Sequence, residues 1–113
     1  DFDALRRRQS PEPSSAVKAR VDAARARQTE RYAGTEVDCN ARMAPAMVGE
    51  YCRLDDAGER LLRSAFDRMG LTARSHDRIL RVARTIADLE GAADIAPEHL
   101  AEAVQYRNTS ILK

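Results

Sequence analysis

The sequence predicts an all-α domain, a small bundle of about five helices. Three observations carry this. Aromatic residues make up only 4% of the chain and Trp is absent, so Ala, Leu, Val, Ile and Met supply the apolar content, which suits helix-on-helix packing. Apolar residues recur at helical spacing rather than alternating. The longest periodic runs are each bounded by a capping residue at the start and a glycine at the end.

The longest element spans residues 71–91. Thr72 is placed to cap its first turn and Gly91 to close it in a left-handed conformation. Ile79, Val82, Ala83, Ile86, Ala87 and Leu89 form one apolar arc. Arg74, Arg78 and Arg81 recur at i, i+4 and i+7 on nearly the opposite side. The helix thus has a face to bury and a face carrying guanidinium groups. Asp77 with Arg81, and Arg84 with Asp88, are i, i+4 pairs of the kind found on a solvated face.

The remaining elements follow in order. Residues 1–13 contain Arg6, Arg7 and Arg8 and then Pro11 and Pro13, and read as a flexible linker. Ser14 and Ser15 offer caps for a helix over residues 16–33, stopped by Gly34, with Val17, Val21, Ala24, Gln28 and Tyr32 as a thin stripe. Arg20, Arg25, Arg27 and Arg31 form its basic flank, read first as a solvated or subunit-contacting face and second as a surface for DNA phosphates. A loop leads to Pro45, which opens a short helix to about residue 52. Asp55 caps a helix over residues 56–69 that buries Leu61, Leu62, Ala65, Phe66 and Met69, with Phe66 the largest core side chain. Gly70 ends it, and the tight turn implies an antiparallel hairpin with the long helix. Ile95 tucks into the core, and Pro97 starts a last helix to about residue 107, burying Leu100, Ala103 and Val104. The domain is therefore expected over residues 14–107, with a frayed tail at 108–113.

Total charge does not indicate a generically basic nucleic-acid binder, because 19 Lys+Arg face 18 Asp+Glu. The balance is uneven: residues 1–31 hold eight basic and five acidic side chains. Lys18 and Lys113 are the only lysines. Arginine offers bidentate contacts that lysine lacks, although a GC-rich genome produces the same bias. Cys39 and Cys52 stand without a CxxC pattern or a signal peptide and read as reduced thiols in the cytoplasm. No apolar run approaches membrane-spanning length. The start at Asp1 reads as an excised piece of a longer chain.

A self-contained active site is missing. No Gly-rich phosphate loop, GxSxG, HExxH or zinc spacing occurs, so neither a catalytic residue nor a metal site is assigned to the fragment. His76 and His99 each stand alone, and Asp55-Asp56 is explained by the helix start. Arg74 is the exception. It sits in a first turn, where free N–H groups and the helix dipole favour an anion.

Four blocks carry a resemblance: SAVKARVDAARARQ at residues 15–28 with Arg31, YCRL at 51–54, RILRVARTIADL at 78–89 and PEHLAEAVQYR at 97–107. In this order they closely resemble the C-terminal domain of magnesium chelatase-like AAA+ ATPases of the ComM/YifB group, with RVARTIADL the most distinctive part. The resemblance implies the AAA+ lid type of helical bundle, following an ATPase core. It implies that Arg74 holds the sensor-2 position and reaches the γ-phosphate of ATP, with Arg78 as runner-up if the register slips by one turn. It further implies a homo-oligomeric ring, often a hexamer, with ATP and Mg held by the upstream core, acting on DNA by branch migration in natural transformation. The phosphate loop, the Mg-binding acidic residues and the arginine finger of the family fall outside this chain. Porphyrin metallation is not the expected activity, since no residues here resemble a porphyrin or Mg site. The alternatives are a stand-alone nucleic-acid-binding module, whose DNA affinity would fall steeply with salt, and a protein-interaction module exposing an apolar patch.

Overall fold

A computed structural model of the chain describes residues 13–111, with side chains described through residue 106. Among the described residues there are five α-helices: α1 (Ser14–Arg31), α2 (Pro45–Tyr51), α3 (Asp56–Met69), α4 (Ala73–Leu89) and α5 (Pro97–Ile111), with a 3-10 turn over Asn40–Arg42. The expected all-α bundle is thus observed. Among the described residues there is no strand, only an isolated parallel bridge between Leu54 and Ile95 that ties the loops ahead of α3 and α5. Residues 1–12, including the triple Arg and most of the expected linker, lie outside the described residues.

The helix ends follow local chemistry. The Asp55 carboxylate accepts from the Gly58 N–H at 2.7 Å and caps α3, while Asp56 and Glu59 face the positive end of its dipole. Gly70 closes α3 at φ 63°, a conformation that a side chain would strain. The Thr72 hydroxyl accepts from the Ser75 N–H at 3.2 Å and caps α4. Past Leu89 the chain turns through Gly91, whose N–H reaches the Asp88 carbonyl, and the Ala92 N–H returns to Ala87 at 2.9 Å. Three boundaries differ from expectation, the first being that α1 ends at Arg31 rather than at residue 33. α1 starts at Ser14 because the Pro13 carbonyl already accepts from Ala16 and Val17, so neither serine is needed as a cap. α5 continues to Ile111, past residue 107, since no proline or glycine interrupts it.

α4 is the central element. α5 and α1 pack along it, and α2 and the 3-10 turn close on it. The expected α3–α4 hairpin does not form. After Gly70 the chain swings away, α3 lies against α5, and α3 meets α4 mainly where the Phe66 and His76 rings approach edge-on at 6.0 Å. Gly58 explains the preference: a Cβ there would stand 3.1 Å from Leu100 Cδ1, so its absence lets α3 approach α5 closely. The core is built from Ile79, Ala83 and Ala87 of α4, Leu100 and Ala103 of α5, and Leu62 and Ala65 of α3. Among the described residues Tyr32 is the largest fully buried side chain, whereas Phe66 is only partly buried, packed against the edge of the core rather than within it.

Leu62 and Leu100 are buried on facing helices, so truncation leaves a cavity between α3 and α5. Leu62→Ala and Leu100→Ala should each lower unfolding free energy by about 2–5 kcal/mol in urea titration.

Candidate functional site

The polar face of α4 has two halves. Positions 74, 78, 81, 85 and 88 follow one another at i, i+4, i+7, i+11 and i+14 and form a single stripe. At its N-terminal end Arg74 and Arg78 are exposed, and neither makes a hydrogen bond or ion pair among the described residues. Further along, the polar side chains turn to protein partners, although Arg84 Nε is buried without a hydrogen-bond partner among the described residues. Arg81 donates from Nε and Nη2 to the Met43 carbonyl at 3.2 and 3.0 Å. The Thr85 hydroxyl donates to the Arg81 carbonyl and accepts from Asn40 Nδ2.

The stripe ends on Asp88, which is 0% exposed. Its carboxylate accepts two parallel bonds from Arg31 Nη1 and Nη2 at 2.8 and 2.7 Å, one from Asn40 Nδ2 at 2.9 Å and one from Arg84 Nη2 at 3.2 Å. Asn40 is itself held by the Gln28 amide oxygen on its N–H and by the Tyr32 hydroxyl, 2.6 Å from Oδ1. Arg84 also donates to the carbonyls of Ala92 and Ala93, and Arg27 to the Asp88 carbonyl. These last bonds satisfy carbonyls at and beyond the C-terminal end of α4, which has no basic residue in its own last turn.

Electrostatics follow from this packing. Burial by itself raises the Asp88 pKa, but the hydrogen bonds from Arg31 and Asn40 and the charge of Arg84 outweigh it and hold the carboxyl below 3.8. The hydrogen bond to Asp88 raises the Arg31 pKa in turn. Burial pushes Tyr32 up, and pushes Cys52 up to about 11, so that thiol stays protonated and unreactive.

Several expectations are corrected. Arg84 and Asp88 are not a solvated pair, because loop 92–96 and α1 close over them. Asp77 does not pair with Arg81; it lies beside His76, and Arg81 turns to Met43. Of the basic flank on α1, Arg20 and Arg25 stand exposed, Arg31 turns inward to Asp88, and Arg27 bends onto the end of α4. Sequence alone does not reveal Asn40 as the partner of Asp88 and Thr85, nor Arg31 as the partner of Asp88, since 45 to 57 residues separate these contacts. A signal was present in retrospect: Arg84 and Asp88 interrupt the apolar arc next to Ala83 and Ala87.

His99 is buried rather than a bystander. Its Nδ1 accepts from the Ala96 N–H at 2.8 Å and its Nε2 lies 3.1 Å from Glu90. Glu90, Glu98 and His99 lie close enough to invite a metal reading. An Nδ1 that accepts a backbone N–H leaves the ring proton on Nε2, where a metal would need a lone pair. The ring is therefore arranged as a helix cap. Among the described residues no helix is long and apolar enough to cross a membrane.

The family described as magnesium chelatase, subunit ChlI C-terminal matches residues 11–107. The chain is 43% identical over 96 residues to the uncharacterized protein YifB of Salmonella typhimurium and 41% identical over 96 residues to the competence protein ComM of Haemophilus influenzae. It is also 34% identical over 98 residues to the uncharacterized protein Rv2897c of Mycobacterium tuberculosis. The first two alignments cover 85% of this chain and 18% of the relative, so the chain spans about a fifth of their length. The third covers 87% of this chain and 20% of the relative. No solved structure matches significantly.

The folded-state carboxyl of Asp88 titrates below its ordinary value, so its contribution to stability is full above pH 3.8 and is lost as pH falls from there through the lower folded-state value. Asp88→Asn should cost about 3–5 kcal/mol at neutral pH, because two guanidinium groups lose their anion. The variant should also lack that portion of the acid dependence, as read by urea unfolding from about pH 6 to 2.

Proposed function

Because the chain belongs to the magnesium chelatase ChlI C-terminal family, we propose that it is the helical lid of a magnesium chelatase-like AAA+ ATPase, with Arg74 as its sensor-2 arginine. The observation that carries the reading is the exposed guanidinium of Arg74, unpaired among the described residues and one residue inside the capped start of a helix whose opposite face is buried. Free N–H groups and the helix dipole add positive potential there. Such a group suits a phosphate presented from outside the domain. ATP and Mg are held by the upstream core, which supplies the phosphate loop and the acidic residues. Arg74 orients the terminal phosphate and stabilises the charge developing on it.

The parent works as a homo-oligomeric ring in the cytoplasm, in which Arg74 meets nucleotide of its own or a neighbouring subunit. Similarity to a protein named for competence supports DNA as the substrate that the ring remodels. The inward turn of Arg31 weighs against α1 as a stand-alone DNA-binding surface, because the guanidinium best placed to end its basic row is spent on Asp88.

In the full-length parent, Arg74→Ala should lower ATP turnover by about 10²-fold, as loss of a charge-stabilising donor does. The lid's unfolding free energy should move by less than about 0.5 kcal/mol, since the side chain touches no core residue. Arg78→Ala should have a smaller effect on turnover. The reverse order would move the sensor assignment to Arg78, and unchanged turnover in both would remove it.

A further inference from the structure

We infer that Arg31 and Asp88 are positioning residues for Arg74: their buried ion pair sets the rotation of α4 about its own axis and so aims the exposed end of its polar stripe. The inference rests on the sensor reading of Arg74. α4 runs unbroken from Ala73 to Leu89, so the setting of Asp88 is transmitted along a rigid rod to Arg74, about 21 Å away. Both residues lie on the same stripe.

Ile79, Leu80 and Ile86 bury the apolar face of α4, but they do so through non-directional contacts. Its most deeply buried positions include Ala83 and Ala87, whose short side chains make shallow ridges. The fork of Arg31 on Asp88 is directional, with two bonds of 2.8 and 2.7 Å from its two terminal nitrogens to the two carboxylate oxygens. Asn40 adds a third bond to the same carboxylate and a fourth to Thr85 one turn earlier, and Arg81 reaches Met43 one turn before that. All of these partners come from α1 or from the segment between α1 and α2. A rotation of about 20° moves atoms at the helix surface, about 6 Å from the axis, by about 2 Å. A misplacement of about 1 Å at a reacting group can cost on the order of 10²-fold in rate. Since these bonds join α1 to α4, the two helices turn together.

The test is a double-mutant cycle on ATP turnover by the full-length parent at saturating ATP. Arg31→Lys keeps the charge but loses the fork. It should lower turnover about 10-fold at a temperature where circular dichroism shows the lid folded. In an Arg74→Ala background the same change should alter turnover less than about 2-fold, because there is no longer a guanidinium to aim. If Arg31→Lys melts below the assay temperature, Thr85→Val takes its place in the cycle, removing only the hydroxyl that Asn40 bonds. Full turnover in the folded single variant, or losses that multiply in the double variant, would overturn the positioning role while leaving Arg74 as the sensor. Unchanged turnover in Arg74→Ala would overturn the sensor reading and the inference with it.

Discussion

A carboxylate with no exposed surface, shared by two arginines, is the constraint around which this domain is arranged. Removing a carboxylate from water costs several kcal/mol even after relaxation, and that cost is offset only if its lone pairs are filled. Asp88 fills them with two bonds from Arg31, one from Asn40 and one from Arg84. Two cations on one anion leave an excess positive charge. The arrangement disperses it: Arg31 retains some exposure, while Arg84 rests on the Ala92 and Ala93 carbonyls beyond the negative end of α4. The demands of one side chain therefore fix α1, the Asn40 turn and the loop after α4 against each other.

The same logic explains how the irregular segment between α1 and α2 keeps one course without a sheet or a disulfide. Asn40 is buried by bonds to Gln28, Tyr32, Thr85 and Asp88, and Met43 is both a core residue and the acceptor for Arg81. Polar groups in a core are costly when left single and directional when satisfied. Here they supply the direction that an alanine-rich helix interface lacks.

α4 divides its polar stripe between two tasks. The C-terminal half is satisfied internally, and the N-terminal half presents guanidinium groups outward. Like charges one turn apart, as at positions 74 and 78, are mildly unfavourable by themselves. Their cost is tolerable because the opposite face of the helix is held by Ile79, Ala83, Ile86 and Ala87. That separation of structural from presented charge lies within a region that is about a fifth of its relatives' length.

Local chemistry alone determined the helices and most of their ends. Asp55, Gly70, Thr72, Gly91 and Pro97 act within one turn of themselves, so their roles are readable from neighbours in sequence. The apolar arc of α4 and the exposure of Arg74 are likewise legible, because a 3.6-residue period assigns faces without knowledge of partners. What covers a polar side chain was not legible. Arg84 and Asp88 have the spacing of a surface pair, and only the return of α1 and of loop 92–96 turns them into a core. The swing of α3 onto α5 was hidden for the same reason. A tight turn limits where the next helix can go, but Gly58 allowing α3 to settle against Leu100 is a relation between residues 42 positions apart, decided by packing in three dimensions.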